Sequence, residues 1–255
     1  MTDAARLTSR VDLVDGSDLV AVEEPLEIRA GGGPIAVTMR TPGHDEELAV
    51  GFLHGEGLID TAAPISAHLT EDLAANVVVV DAELTRDPGA RRFYTTSSCG
   101  VCGRGALDEV ALSAPDVGPR DTPRVDDSLL AALPDRLRQP GFAASGGLHA
   151  TGLFDAAGAL LCVREDVGRH NAMDKVIGRA LLDGALPLRD RLLCVSGRLS
   201  FELVQKAAMA GAPVLVGVGA PTSLAVSLAR ECGMTLAGFA REGRVNVYAG
   251  AERAA

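Results

Sequence analysis

The stretch from Arg191 to Gly250 constrains the fold more than any other part of the chain. RLLCVSG runs into LSFELVQKAAMAG, PVLVGVG runs into TSLAVSLAREC, and MTLAGFA meets RVNVYAG across the turn REG. Each short apolar run has the length of a buried strand, and the first two are followed by a segment of helical rhythm. Such alternation predicts crossover units and a largely parallel sheet with helices on both faces. Just ahead of it, HATGLFD and ALLCVRE flank the turn AAG as a hairpin, and a helix is expected from about His170 to Leu182.

The amino-terminal part reads differently. Strands are expected at LVAVEEPLEIRA, PIAVTMR and NVVVVDA, with a helix opening near Thr41 and Pro42, where Thr serves as N-cap and Pro as first helical residue. After RRFYTT the pattern breaks at SSCGVCGRG, and an apolar rhythm from Ala106 to Leu112 reads as a short helix. The polar, proline-rich SAPDVGPRDTPRVDD leads to a helix from about Ser128 to Arg138, capped by Asp126 or Asp127 and bent or shortened by Pro134. The chain thus divides into an α+β portion, residues 1–143 with the cysteine loop, and an α/β portion, residues 144–255. It contains no internal repeat and no low-complexity segment.

Composition fits a layered α/β protein. Aromatic residues are 3% of the 255 and Trp is absent, so a 47% hydrophobic chain builds its core from Val, Leu, Ala and Ile. Disorder is excluded on those numbers. No apolar run approaches the ~20 residues of a membrane helix, and MTDAARLTSR lacks the apolar stretch of a secretory signal, so the expected location is cytoplasmic, with no membrane partner. The net charge of −10 argues against nucleic acid as a partner. That charge is uneven: residues 1–140 carry 12 basic and 24 acidic side chains, residues 141–255 carry 12 and 10, so the halves stand at −12 and +2. An anionic ligand is expected on the second half. Lys175 and Lys206 are the lysines and the other 22 cations are Arg, a bias that suits planar recognition of phosphate and equally fits genome composition.

Five cysteines without an export signal argue against a disulfide framework. Cys162, Cys194 and Cys232 lie singly in apolar patterns and read as small core hydrophobes. Cys99 and Cys102 form one CxxC between glycines and hydroxyls, which leaves three readings open. A structural zinc site wants four ligands, of which this pair supplies two. A thioredoxin-like dithiol wants the motif at the start of a βαβ series, which the sequence here does not show. A nucleophilic thiol wants a thiolate favoured by backbone N–H groups or a cation such as Arg104, and glycines that let it approach its partners.

Two further segments bear on ligand binding. Ser196–Gly197–Arg198 and GVGAPTS, Gly217 to Ser223, each follow a strand and open a helix, placing N–H groups, hydroxyls and a guanidinium at the crevice where α/β sheets bind ligands. FAREGR, from Phe239 to Arg244, offers a ring and two guanidiniums around a turn, and reads either as a nucleotide-facing turn or as a plain hairpin with solvated arginines. His149 in GGLHATG and Glu165, Asp166, Arg169, His170, Asp174 and Lys175 in EDVGRHNAMDK are dense polar groups at a strand–helix junction, read as ligand neighbours or as capping and core residues.

With SSCGVCG, SGGLHATG, EDVGRHNAMDKVIG, VSGRLSFELVQKAAMAG and FAREGRVNVY in this order, the chain resembles the FdhD family of formate dehydrogenase accessory sulfurtransferases from about Leu19 to Tyr248. The resemblance implies an α/β fold with a cytidine-deaminase-like three-layer core and a smaller amino-terminal α+β portion, as a homodimer. It implies a sulfur carrier that accepts persulfide sulfur from a cysteine desulfurase and passes it to the molybdenum (or tungsten) bis(molybdopterin guanine dinucleotide) cofactor, its bound substrate, before insertion into formate dehydrogenase. By position, Cys99 falls on the persulfide-bearing cysteine, Cys102 on an assistant or alternate acceptor, and Phe239, Ala240, Arg241, Glu242, Gly243 and Arg244 on the cofactor-binding turn. No structural metal is expected. Zinc deaminase chemistry is not implied either, because His149 follows the cysteine pair, is trailed by Ala150 and Thr151, and no proline precedes Cys99. The rival reading is a non-catalytic molybdenum-cofactor-binding chaperone whose cysteines are structural or metal-binding.

Overall fold

The computed structural model describes residues 7–70, 76–85, 114, 117–119 and 122–254. The amino-terminal elements are β1 (Thr8–Leu13), β2 (Gly16–Ala21), β3 (Glu24–Ala30), β4 (Gly33–Arg40), α1 (Asp45–Gly55), β5 (Ser66–Leu69) and β6 (Val77–Asp81). Then come α2 (Asp127–Ala132), α3 (Pro140–Ser145), β7 (His149–Asp155), β8 (Leu160–Asp166) and α4 (Arg169–Leu182). The last are β9 (Arg191–Val195), α5 (Phe201–Met209), β10 (Val214–Gly217), α6 (Ser223–Glu231), β11 (Thr235–Arg241) and β12 (Arg244–Ala249). They make a mixed α/β protein with several sheets. Two compact units result, and residues 144–255 contribute to both. No helix among the described residues is long and apolar enough to cross a membrane.

The first unit takes Gln139–Ala150 and Arg164–Leu182 in addition to the amino-terminal elements. β1 and β2 form an antiparallel ribbon, and a four-stranded sheet runs β4-β3-β6-β5, with β3 and β6 parallel. Period-two alternation on β3 buries Leu26, Ile28 and Ala30, which meet Val78 and Val80 of β6 and Leu48, Ala49, Val50 and Leu53 of α1. α1 also crosses α4 through two glycines. A Cβ on Gly51 would run into the Asp174 carbonyl, and one on Gly178 into the Glu47 carbonyl.

α1 begins later than the Thr41–Pro42 signal suggests. Thr41 is fully buried and already committed: its hydroxyl donates to the Val22 carbonyl (2.9 Å) and its amide to Asp166 Oδ2 (3.1 Å). The helix starts at Asp45, after His44 in the left-handed region (φ 59°), and Asp45, Glu46 and Glu47 put negative charge at its positive end. Arg40 grips Asp45 from below through two hydrogen bonds of 3.0 and 2.9 Å.

In the second unit a six-stranded sheet runs β12-β11-β10-β9-β7-β8. β9, β10 and β11 are parallel, but β7 is antiparallel to β9 and β12 to β11, so the sheet is mixed rather than largely parallel. The cause is local. β11 and β12 are joined by a two-residue turn, too short for the crossover that a parallel neighbour needs. Leu192, Cys194, Val214, Val216 and Ala237 on one face pack with Leu130, Leu133, Leu137 and Phe154. The alternate Leu193, Leu215 and Leu236 are equally inaccessible, so both faces are covered. α2 is short, as Pro134 foretells: Asp126 caps it by accepting from Leu129 N (2.6 Å), and a single 3-10 turn takes over at Pro134–Arg136.

Candidate functional site at the carboxyl edge of the parallel strands

Parallel strands deliver their loops to one edge of a sheet, and here those loops are laced together. Gly219 N donates to the Gly197 carbonyl (3.0 Å), Leu199 N to the Ala220 carbonyl (3.0 Å) and Thr222 N to the Leu199 carbonyl (3.0 Å). Thr222 Oγ1 in turn caps α6 by accepting from Ala225 N (3.3 Å). The N–H groups of Val218, Gly219 and Thr222 are therefore spent on holding the edge, so Gly217–Ser223 offers fewer donors to an anion than its sequence suggests. Arg198 remains exposed on that edge. On β7, in register with Val195, Thr151 is fully buried and its Oγ1 has no hydrogen-bond partner among the described residues.

The third loop is the segment Phe239–Arg244. A Cβ on Gly238 would come within 3.0 Å of the Gly219 carbonyl, so glycine lets β11 approach the neighbouring loop. The pairing of β11 with β12 then shifts register between Gly238 and Arg241, and Phe239 takes a left-handed conformation (φ 53°) while donating its amide to Gly219 (3.2 Å). A bulky residue in that region is strained and marks a place where the surroundings impose geometry. The residue is 40% exposed. Arg241 and Arg244 pair across a turn whose central residues, Glu242 (φ 51°) and Gly243 (φ 71°), are both left-handed, the pattern of a type I′ hairpin. All four turn residues are exposed, whereas Ala240 is buried in the core and presents only its backbone. Among the described residues neither guanidinium of the turn is held in an ion pair. The edge thus presents a ring and two unneutralised guanidiniums, a set suited to a base and its phosphates.

In the first unit the polar residues of EDVGRHNAMDK separate into distinct tasks. Glu165 caps α3, accepting from Gly141 N (2.9 Å) and Phe142 N (2.7 Å). Asp166, entirely buried, accepts from Thr41 N, Gly168 N (2.8 Å) and Asn171 Nδ2 (3.0 Å) and lies 2.7 Å from Lys175 Nζ. Asp174 sits inside α4 with one carboxylate oxygen buried and unbonded. What remains is cationic. Burial pushes the half-buried His149 imidazole below its ordinary range, the positive charges of Arg169 and His170 push it further, and Asp166 works against them.

Cys99 and Cys102 lie outside the described residues. Cys162, Cys194 and Cys232 form no disulfide among the described residues. Burial pushes the Cys194 thiol strongly upward, and burial together with Glu231 pushes Cys232 up to about 11, so both are poor nucleophiles at neutral pH. Among the described residues no group of three His, Cys, Asp or Glu side chains is placed to hold a metal. The sequence reading missed Thr151 and the left-handed Phe239; a phenylalanine between Gly238 and a short turn gives no local sign of its backbone conformation.

The fold and this edge define an α/β protein with a mixed sheet and an exposed cationic hairpin beside its parallel strands. Comparison with known proteins narrows that class. The FdhD/NarQ family matches residues 21–255. A sulfur carrier protein FdhD of Streptomyces avermitilis is 52% identical, with 93% of this chain and 89% of that protein covered. One of Saccharolobus solfataricus is 44% identical, with 93% and 91% covered. A crystal structure from Desulfotalea psychrophila, described as a formate dehydrogenase accessory protein, superposes with a TM-score of 0.77 at 26% identity, over 97% of this chain and 98% of that one. The chain belongs to the FdhD/NarQ family.

Proposed function

We propose that the chain is a sulfurtransferase that carries sulfur as a persulfide on Cys99, taking it from a cysteine desulfurase and giving it to molybdenum (or tungsten) bis(molybdopterin guanine dinucleotide) before that cofactor enters formate dehydrogenase. The observation that carries this reading is the 52% identity, over 93% of this chain, to a relative named as a sulfur carrier protein. The geometry of the hairpin supports it. Phe239 offers a face for the guanine ring, Glu242 an acceptor for its N–H groups, and Arg241 and Arg244 planar donors for the pyrophosphate.

In loading, the Cys99 thiolate attacks the outer sulfur of the desulfurase persulfide; a new S–S bond forms on Cys99, the old one breaks, and the desulfurase cysteine leaves as a thiolate. In delivery, the Cys102 thiolate attacks Cys99 Sγ, so the outer sulfur leaves as hydrosulfide for the metal and a Cys99–Cys102 disulfide is left for a cellular thiol to reduce. The strand order β8-β7-β9-β10-β11, with β7 antiparallel to three parallel strands, supports a cytidine-deaminase-like core for the second unit. A homodimer in the cytoplasm is part of the same reading and rests on the resemblance.

The test follows labelled sulfur from cysteine, through a desulfurase and this protein, to the isolated cofactor of formate dehydrogenase. Label should arrive with wild type and fail with Cys99→Ala. Equal arrival with Cys99→Ala would turn the reading to a cofactor-binding chaperone whose cysteines are structural or metal-binding.

A further inference from the structure

The ribbon of β1 and β2 is a sheet of two strands, and no strand other than β2 pairs with β1 among the described residues. Two strands alone are marginal in water; a third or fourth with a shared apolar face is what makes a small sheet stable. Of the nine large apolar side chains that stand exposed among the described residues, three lie between Thr8 and Ala21: Val14 fully, Leu13 by 54% and Val20 by 39%. The strands pair in unbroken register from Thr8↔Ala21 to Leu13↔Gly16, so no bulge turns the edge away. SRVDL, Ser9 to Leu13, holds neither proline nor lysine, the residues that commonly blunt an open edge. The charges it does carry, Arg10 and Asp12, are exposed, opposite in sign and flank Val11 on the other face of the strand. Arg10 Nη1 donates across the ribbon to Ser17 Oγ (2.8 Å), which holds the guanidinium on that face.

We propose that the outer edge of β1 pairs antiparallel with β1 of a second copy about a two-fold axis at Val11, joining two ribbons into one four-stranded sheet. Antiparallel pairing of a strand with itself is closed by its own symmetry, so the assembly stops at two. With the axis at Val11, Arg10 faces Asp12 of the partner subunit and Asp12 faces the partner's Arg10, which makes two cross-strand pairs of opposite charge. Moving the axis one residue either way sets Arg10 against Arg10 or Asp12 against Asp12, so the charges fix one register. The edge of β2 offers no such match. Asp18 is its one charged side chain, and α3 packs mainly on that strand, where a Cβ on Gly147 would come within 3.1 Å of Ala21 Cβ. The contact gives the homodimer of the proposed function a location and rests on that part of the reading; it uses no residue assigned to sulfur carriage or to cofactor binding.

The test is sedimentation velocity of the full-length protein over a dilution series. Wild type should be a dimer that dissociates on dilution. Arg10→Asp and Asp12→Arg each turn two attractive pairs into two repulsive ones and should weaken the dimer by about tenfold to a hundredfold. The double variant restores both pairs with their signs exchanged and should return to within about threefold of wild type. Val11→Cys sets two thiols face to face on the axis, where directly opposed residues of an antiparallel pair have Cα atoms roughly 4.5–5.5 Å apart, within disulfide range. Oxidation should link Val11→Cys into a reducible dimer and leave Val20→Cys, on the strand away from the axis, at the wild-type background. A dimer indifferent to both single reversals, a double variant weaker than either, or Val11→Cys linked no better than Val20→Cys would overturn the contact while the homodimer stands. A monomeric wild type would overturn both and leave the edge to a strand of another protein. If a charge reversal does not fold, the Val11→Cys cross-link decides in its place.

Discussion

Lys175 Nζ stands 2.7 Å from Asp166 Oδ2 with both side chains buried, and the pair ties the middle of α4 to the strand end that precedes it. Every remaining valence is used: the ammonium also donates to the Thr41 carbonyl, and the carboxylate accepts from two backbone amides and Asn171. Removing one partner leaves a buried charge without compensation. Lys175→Met should cost roughly 3–5 kcal/mol in urea unfolding, and adding Asp166→Asn should recover part of that loss. Additive losses in the double variant would show the two charges to be independent.

The crossing of α1 and α4 makes a second prediction. Glycine inside a helix costs about 0.5–1 kcal/mol relative to alanine, so Gly178→Ala on an isolated helix would stabilise. Here the added methyl meets the Glu47 carbonyl, and neither backbone can yield cheaply. Gly178→Ala should lower the melting temperature by several degrees, as should Gly51→Ala. A rise in either melt would mean that the helices are further apart than described.

Those same glycines show what the sequence did and did not reveal. Alternation at RLLCV, PVLVG and MTLAG marks β9, β10 and β11 because period-two burial is a local property, and Asp126 announces the start of α2 because a cap is local too. Neither signal says which elements touch. Nothing in GFLHG or VIGRA tells that Gly51 and Gly178 are in contact, and nothing in MRTPG tells that Thr41 is bonded to Val22 and Asp166 rather than capping a helix. The same limit applies to the hairpin: REG reads as a turn at once, but the left-handed Phe239 follows from the approach of β11 to Gly219, a contact between distant residues.

Glu47 contributes to the acid behaviour of the first unit. Burial raises its carboxyl, but the hydrogen bonds and charges of Arg164 and His44 outweigh burial and bring it from 4.5 down to about 2. A carboxyl depressed on folding contributes stability that is present above its unfolded value and lost as pH falls through its folded one. Stability should therefore decline between about pH 4.5 and 2, by up to about 3 kcal/mol from this group. Arg164→Leu leaves burial to raise the carboxyl, so Glu47's share of that decline should shrink or vanish, a change that denaturant titrations at stepped pH would detect.

Phe239 separates strain from use. Phe239→Gly removes the cost of the left-handed backbone, about 1 kcal/mol, along with the exposed ring. The account expects unchanged or higher stability with weaker guanosine diphosphate binding by isothermal titration, and Arg241→Ala and Arg244→Ala should weaken binding without the stability gain. Full affinity in all three would remove the hairpin as the nucleotide grip.

Whether Cys99 bears the sulfur is decided by intact mass spectrometry of wild type, Cys99→Ala and Cys102→Ala, each incubated with a cysteine desulfurase and cysteine. A reductant-labile gain of one sulfur atom is expected on wild type and on Cys102→Ala, and none on Cys99→Ala. A gain that persists in Cys99→Ala, or none on wild type with an active desulfurase, would contradict it.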